Sequence, residues 1–381
     1  MKMLVLGAGP QGCATAYDLL QVPAVSQVTI ADLHPDSLAP FLKPYLGQGR
    51  LVAVKLDVTD LDATTALMKG HVSVMSAIPY YFNEPMARCA VKAGCNFADL
   101  GGNTEIVFQQ KKLHDEARAK GLSVIPDCGL APGMVNILAA EGVRRLDKVD
   151  RVKIFVGGLP QNPEPPLNYQ IVYSLEGALD YYTTTSWVIR DGKRAPVEAL
   201  SEIEMVQFPE PVGTLEAFHT AGGISIMPFT YEGKVDVMEY KTLRYPGHVA
   251  VMRPIRELGL LDLDPVEVRG QRVVPRELFI ASVTPKLKKP EGRDLVALRV
   301  EAHGTRNGGP ASVTWQLIDL KDTEHNISAM MRTTGYSLAI TGLMQADGRV
   351  TAKGVHTPDE AMPYQAYVDE LARRGVVIQE L

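Results

Sequence analysis

The sequence predicts an α/β protein: a doubly wound parallel sheet in residues 1–125, followed by an α+β unit built mostly on antiparallel strands. Three observations predict it. Six apolar runs alternate with helical stretches between Met1 and Asp127. Those runs are rich in Val, Ile and Leu without polar alternation, as strands covered on both faces must be. Beyond Asp127 the texture changes to alternating strands joined by short glycine turns, which mark antiparallel hairpins.

In order, the strands of the first part are MKMLVLGAG, VTIADL, LVAVKLDV, VSVMSAI, CNFADL and LSVIPD. Helices separate them: GCATAYDLLQ, LDATTALMK, EPMARCAVKAG and one long helix over TEIVFQQKKLHDEARAKG. This alternation is the doubly wound pattern. GMVNILAAEGVRRL then reads as a helix and RVKIFVGGLP as a strand, before a proline-rich turn. WVIRDGKRAPV carries a DG turn between apolar runs, and RDLVALRVEAHGTRNGGPASVTWQLIDL reads as two strands about a glycine turn. ISAMMRTTGYSLAITGLMQADG is a helix rich in small residues, and DEAMPYQAYVDELARRG a last amphipathic helix. At 381 residues the chain suggests two domains. The expected division is 1–125, 126–340 and a C-terminal segment, 341–381.

A net charge of −5 without a basic run argues against nucleic acid as a partner. No apolar stretch reaches the ~18–20 residues of a membrane span. The first strand begins at Lys2, so no secretory signal is expected, and four scattered cysteines fit a reducing, cytoplasmic compartment. Neither CxxC, HxxxH nor HExxH spacing occurs, so no metal is expected.

Gly7-Ala8-Gly9-Pro10-Gln11-Gly12 is a GxGxxG sequence lying between a strand and a helix. In that context Gly7 permits the tight turn and Gly9 lets backbone approach a pyrophosphate. Gly12 lets helix and strand pack closely, and the helix N-terminus offers free N–H groups. Asp32 ends the second strand, placed to accept hydrogen bonds from ribose hydroxyls and to repel a 2′-phosphate. No Lys or Arg follows in residues 33–37, so the Rossmann-type domain is expected to take NAD. The GxGxG spacing usual in methyltransferases does not match the third glycine. Asp57-Val58, at the end of the third strand, either meets adenine or caps a helix. Ala77-Ile78-Pro79 ends the fourth, beside the switch point where a nicotinamide lies.

With these in place, the chain resembles the saccharopine dehydrogenase-like family, and within it the lysine 6-dehydrogenase branch. The resemblance rests on Ile78-Pro79-Tyr80-Tyr81-Phe82-Asn83, Ala98-Asp99-Leu100-Gly101-Gly102, the run from Pro126 to Asn136, Gly157-Gly158-Leu159-Pro160, Tyr173-Ser174-Leu175-Glu176-Gly177, the run from Leu215 to Thr220 and that from Lys241 to His248. Saccharopine reductases typically carry Asp-Pro-Gly-x-Asp-His where this chain has Ala131, Val135 and Asn136, and His where it has Asn83. These departures point to a lysine-type substrate. The resemblance implies a C-terminal segment that returns to the first domain and a middle domain that forms a homodimer or higher oligomer.

The implied activity is NAD-dependent removal of the lysine ε-amine as ammonia, leaving 2-aminoadipate 6-semialdehyde. The alternatives are a saccharopine- or carboxynorspermidine-type secondary-amine dehydrogenase, another amino-acid dehydrogenase, or a non-catalytic NAD-binding protein. Oxidation needs a base for the ammonium and a cation for the α-carboxylate. Arg244 offers a bidentate fork for the carboxylate, or else forms a surface ion pair. Asp127, at the sheet edge where ligands bind, is base, ammonium holder or helix cap. His219 and His248 titrate near neutrality and are acid–base candidates. Glu176, at a helix start, is a further one. Tyr80 and Asn83 follow the fourth strand and stand to line the pocket.

Overall fold

The computed structural model describes residues 1–381. Strands β1 (Lys2–Leu6), β2 (Gln27–Asp32), β3 (Leu51–Lys55), β4 (Ser73–Ser76), β5 (Asn96–Asp99) and β6 (Ser123–Ile125) form a parallel sheet in the order 3-2-1-4-5-6. Order reverses between β1 and β4, which opens a crevice at their C-terminal ends. Helices α1 (Pro10–Gln21), α2 (Leu61–Met68), α3 (Asn83–Ala93), α4 (Thr104–Lys111) and α5 (His114–Ala119) cover the sheet. The single long helix expected over 104–121 is instead two. At Lys112 and Leu113 the backbone tightens to i→i−3 bonds onto Gln109 and Gln110, and Leu113 turns into the core.

The second sheet is assembled from distant pieces. After α6 (Met134–Arg144) come β7 (Lys148–Pro160), α7 (Leu175–Thr183), β8 (Ser186–Arg190), β9 (Lys193–Val197), β10 (Glu204–Gln207) and β11 (Thr214–His219). They are followed by α8 (Met227–Thr230), β12 (Val235–Arg244), α9 (His248–Glu257), the small hairpin β13 (Val266–Val268) and β14 (Gln271–Val273), and α10 (Pro275–Leu287). The long hairpin β15 (Asp294–Arg306) and β16 (Gly309–Leu320) completes the set, with α11 (Ala329–Ala346) after it. The order is β10-β11-β12-β7-β15-β16, and β8 and β9 attach beside β12. The pairing is antiparallel except between β7 and β12, which run parallel and make the sheet mixed.

Helix α11 lies between the two sheets. Buried residues lie on every side of it, as in a helix with almost no solvent face. Against α1, Gly335 is so close that a methyl there would meet Ala14 and the Gln11 carbonyl at 2.7 and 2.9 Å. On the other side the helix packs under β15 and β16. Its free N–H groups are taken by Ser328 and by Asp294 of β15, whose carboxylate accepts from Ala329 and Met330. The helix runs unbroken through residue 340. The chain then adds β17 (Gly354–Val355) beside β6 as a seventh parallel strand. Two helices follow, α12 (Pro358–Ala361) and α13 (Tyr364–Arg373), and then β18 (Gln379–Glu380). The tail was expected as one helix. Pro363 holds Met362 extended and splits it.

Candidate active site

The glycine loop meets the demands of a dinucleotide. Gly7 has φ +95°, and a side chain there would strike the Ala77 carbonyl at 2.8 Å. One at Gly12 would come within 1.9 Å of the Gly7 carbonyl. Gly9 has nothing within 4 Å of the same position. Two of the three glycines thus serve the fold, and the third leaves open space. Helix α1 begins at Pro10 without a side-chain cap, so its first N–H groups are free for an anion. Asp32 accepts from the Ala8 N–H at 2.7 Å and the His34 N–H at 2.8 Å. A carboxylate has about four acceptor positions, so two remain for ribose hydroxyls. The buried Gln11 Oε1 has no partner. These residues fit a nicotinamide dinucleotide.

Asp57 and Val58 lie beyond β3, which stops at Lys55. Asp57 is exposed and accepts from the Thr59 N–H and hydroxyl, which hold its carboxyl below the usual range. The cap of α2 is Asp60, not Asp57. Ala77 and Ile78 pack on the glycine loop, and Pro79 leads away from β4 at the surface.

Between the two sheets, beside Gln11, is a cavity of about 240 Å³. Its walls come from the loops after β5 and β6 (Leu100, Gly101, Gly129–Pro132), from α7 and from α11. Strand β12 gives Tyr240, Thr242 and Arg244, which alternate onto one face. Arg244 is only 2% exposed. It stacks on Tyr169 at 4.9 Å, its Nη1 donates to the Leu243 carbonyl, its Nε has no partner, and no carboxylate lies within ion-pair distance. A buried cation without an anion is costly. Its natural complement is an anionic ligand.

Asp127 is fully buried behind Gly101 and Gly102, and does not itself line the cavity. Its backbone is left-handed (φ 64°), a conformation Asp tolerates. Oδ1 accepts the Gly102 N–H at 3.2 Å, while Oδ2 has no hydrogen-bond partner. Burial pushes its carboxyl up to about 7, with a further push from Asp99; the nearby Ser225 hydroxyl, which makes no hydrogen bond in this structure, pulls the other way. Asp99 ends β5, accepts from the Gly101 N–H and Gln110 Nε2, and is raised by burial to about 6.

The other acid–base candidates lie elsewhere. His219 is the last residue of β11, buried outside the cavity. Its Nδ1 meets the Tyr240 carbonyl and its Nε2 meets Glu202 at 3.1 Å, and burial lowers its pKa. Glu202, His219 and Glu239 bring ligand atoms within 4.8 Å of one another. Arg190 fills that space, at 2.7 Å from Glu202 and 2.6 Å from Glu239. His248 begins α9 among Tyr169, Tyr182 and Phe218. Nδ1 must donate to the Leu167 carbonyl, so Nε2 accepts from the Tyr182 hydroxyl at 3.0 Å. Burial, with Arg244 nearby, drives its pKa to about 3, so at neutral pH the ring is uncharged. Glu176 is exposed in the first turn of α7, and Ser174 is the residue that caps it. Asn83 points inward and accepts from the Ser76 hydroxyl at 2.9 Å. Tyr80 lines a second, outer cleft of about 300 Å³ that also carries Glu105 and Asp180.

Residues 3–125 match the family model described as the saccharopine dehydrogenase NADP binding domain, and residues 129–376 the saccharopine dehydrogenase C-terminal domain. The chain belongs to the saccharopine dehydrogenase family. It is 25% identical over 256 residues to the L-glutamate-forming, NADP(+) saccharopine dehydrogenase of Saccharomyces cerevisiae, covering 64% of this chain and 56% of that one. With the mouse mitochondrial alpha-aminoadipic semialdehyde synthase it shares 22% over 447 residues, 99% of this chain and 47% of that protein. It thus spans about half the length of these relatives. The carboxyaminopropylagmatine dehydrogenase of a Synechocystis species matches end to end, 20% identical over 100% of this chain and 97% of its own. Among solved structures, the apo saccharopine dehydrogenase (L-Glu forming) of S. cerevisiae superimposes with a TM-score of 0.80 at 19% identity, covering 100% and 99% of the two chains. The homospermidine synthase of Legionella pneumophila in complex with NAD gives 0.69 at 11%, over 100% and 91%. No helix is long and apolar enough to cross a membrane.

Proposed function

We propose that the protein oxidises the ε-amine of L-lysine with NAD, releasing ammonia and 2-aminoadipate 6-semialdehyde, which cyclises to a piperideine carboxylate. The observation behind this reading is Arg244, one buried guanidinium with no acid partner on the wall of a cavity that holds no second cation. At about 240 Å³ the cavity is below the usual ligand-pocket range. Both features favour a single amino acid over an adduct with a carboxylate at each end. The α-carboxylate is held by the guanidinium fork, and the ε-carbon reaches toward Gln11. A bound nicotinamide supplies the hydride acceptor. The protein's own part is to position the chain, take a proton from the ammonium and keep water away until the imine has formed. Asp127 is the proton sink, with a pKa near the operating pH.

Asp32, with no cation in residues 33–37, supports NAD over NADP, although the yeast relative is named for NADP(+). A secondary amine of the saccharopine type is the second reading. What favours it is an open cleft lined by Tyr169, where Arg293, which makes no ion pair, could take a further carboxylate, while Lys289 is held by Glu164. Turnover of purified protein with L-lysine and with saccharopine decides between them. Ammonia release from lysine supports the first; glutamate release from saccharopine, with lysine inert, overturns it.

A further inference from the structure

The base and the substrate are separated. Asp127 carries the fitting pKa but lies behind the Gly101–Gly102 backbone, and the cavity lining contains no carboxylate and no imidazole. Its ionisable side chains are Arg244 and three tyrosines, Tyr173, Tyr181 and Tyr240. One of the three is placed differently from the others.

Tyr181 occupies a slot cut by two glycines from distant parts of the chain. A methyl at Gly102 would stand 2.5 Å from its hydroxyl oxygen, and one at Gly222 would stand 2.6 Å from its ring. Both glycines have positive φ, +100° and +84°, so each is suited to its backbone as well as to the ring. The hydroxyl therefore rests against Gly102, the residue whose N–H is bonded to Asp127 Oδ1. Tyr181 also separates two spaces, since it lines both the inner cavity and the outer cleft. Its helix is fixed from the far side by Arg276, which pairs with Asp180 and donates to the Thr183 hydroxyl at 3.0 Å.

We propose that Tyr181 is a catalytic residue, the group that meets the substrate ammonium and connects it to Asp127. The assignment rests on the amine-oxidising reading above. An N–H bond of the ammonium breaks and its proton goes to Tyr181 Oη, while that hydroxyl's own proton moves to the Asp127 carboxylate. The phenol ends as it began, Asp127 ends protonated, and the nitrogen lone pair is free to expel hydride from the ε-carbon. The tyrosine need not ionise on its own, which its burial opposes. No hydrogen bond joins Tyr181 Oη to Asp127 in this structure, so the transfer requires the unpartnered Oδ2 to come within reach of that hydroxyl when substrate binds.

The test compares Tyr181→Phe, Asp127→Asn and the double variant with wild type, over pH 6–10. Phe fills the same slot, and Asn tolerates the left-handed backbone as Asp does, so both should fold. Tyr181→Phe should lower kcat by roughly 10²–10⁴-fold with a much smaller change in KM, and should remove the wild-type limb near pH 7. The double variant should be no slower than Asp127→Asn alone, because both changes break one relay. A Tyr181→Phe enzyme with wild-type kcat and pH profile, or losses that multiply in the double variant, would overturn the assignment. If wild type works on a secondary amine and not on lysine, the lysine reading fails, and the same comparison on that amine still decides for or against Tyr181. A wild type inert toward every amine overturns both.

Discussion

Replacing Asp127 with Asn should make the protein more stable at pH 8 while impairing it as an enzyme. The carboxyl is fully buried, and its pKa is raised from an ordinary 3.8 to about 7. Between those two values the folded state keeps a proton that the unfolded chain has lost, so stability falls as pH rises through that window. At 1.36 kcal/mol per pH unit, the charged carboxylate costs the folded state about 4 kcal/mol at most at pH 8. Asparagine removes that cost and can still accept the Gly102 N–H through its amide oxygen. Urea unfolding of both proteins at pH 8, 6 and 4 checks this. The variant should lead by about 2–4 kcal/mol at pH 8 and progressively less at pH 6. By pH 4 little of the lead should remain. A variant less stable than wild type at pH 8, or a difference independent of pH, would show that Asp127 is not a strained buried acid, and its role as proton sink would fall with it.

Four other outcomes follow. Gly9→Ala should leave Tm unchanged but weaken NAD binding at least tenfold by calorimetry, since its methyl enters only open space; Gly12→Ala, whose methyl meets the Gly7 carbonyl, should instead lower Tm. Arg244→Met should raise KM for lysine with little change in kcat and no loss of stability, because an unpaired buried charge is removed. His248, with its pKa depressed from 6.5 to about 3, stabilises the fold above pH 6.5 and loses that contribution as pH falls, by about 1.4 kcal/mol per unit; His248→Leu should lack this part of the acid dependence in urea titrations at pH 6.5 and 5.5. Static light scattering should give a dimer or larger: β18 and Leu381 cover β16 only from Thr314 to Gln316, and Leu258, Leu263 and Leu278 stand exposed.

The parallel sheet was legible because its signal is local. Each strand is a short apolar run, and the GxGxxG sequence sits at the one turn where its glycines have separate steric tasks. Arg244 stood out in the sequence and lies on the cavity wall, but Thr242 and Tyr240, two and four positions earlier on the same strand, show the same alternation and were missed. The two histidines looked apt because imidazole titrates near neutrality. Sequence does not reveal that one ring would be locked by Glu202 and the Tyr240 carbonyl, and the other buried among aromatics. Tyr181 had no local signal, since its slot is made by glycines 79 positions before it and 41 after it. The breaks at Lys112–Leu113 and at Pro363 were missed for different reasons: the first is a tertiary pull on Leu113, the second a proline whose effect was readable.

Helix α11 bears on how the molecule can move and melt. The largest apolar cluster takes in residues from both sheets together with this helix, including Met75 beneath Gly342 and Trp315 on β16. The nucleotide-binding half and the second half therefore share one interior, although the sequence divides cleanly into two styles. A hinge that swung the halves apart would have to break that interior, so opening for substrate falls to surface pieces such as α7 and the loop of Gly222 and Gly223. By the same token calorimetry should find one melting event, and a fragment ending near residue 125 should fail to hold a native sheet, since the helix that seals it is supplied 200 residues later.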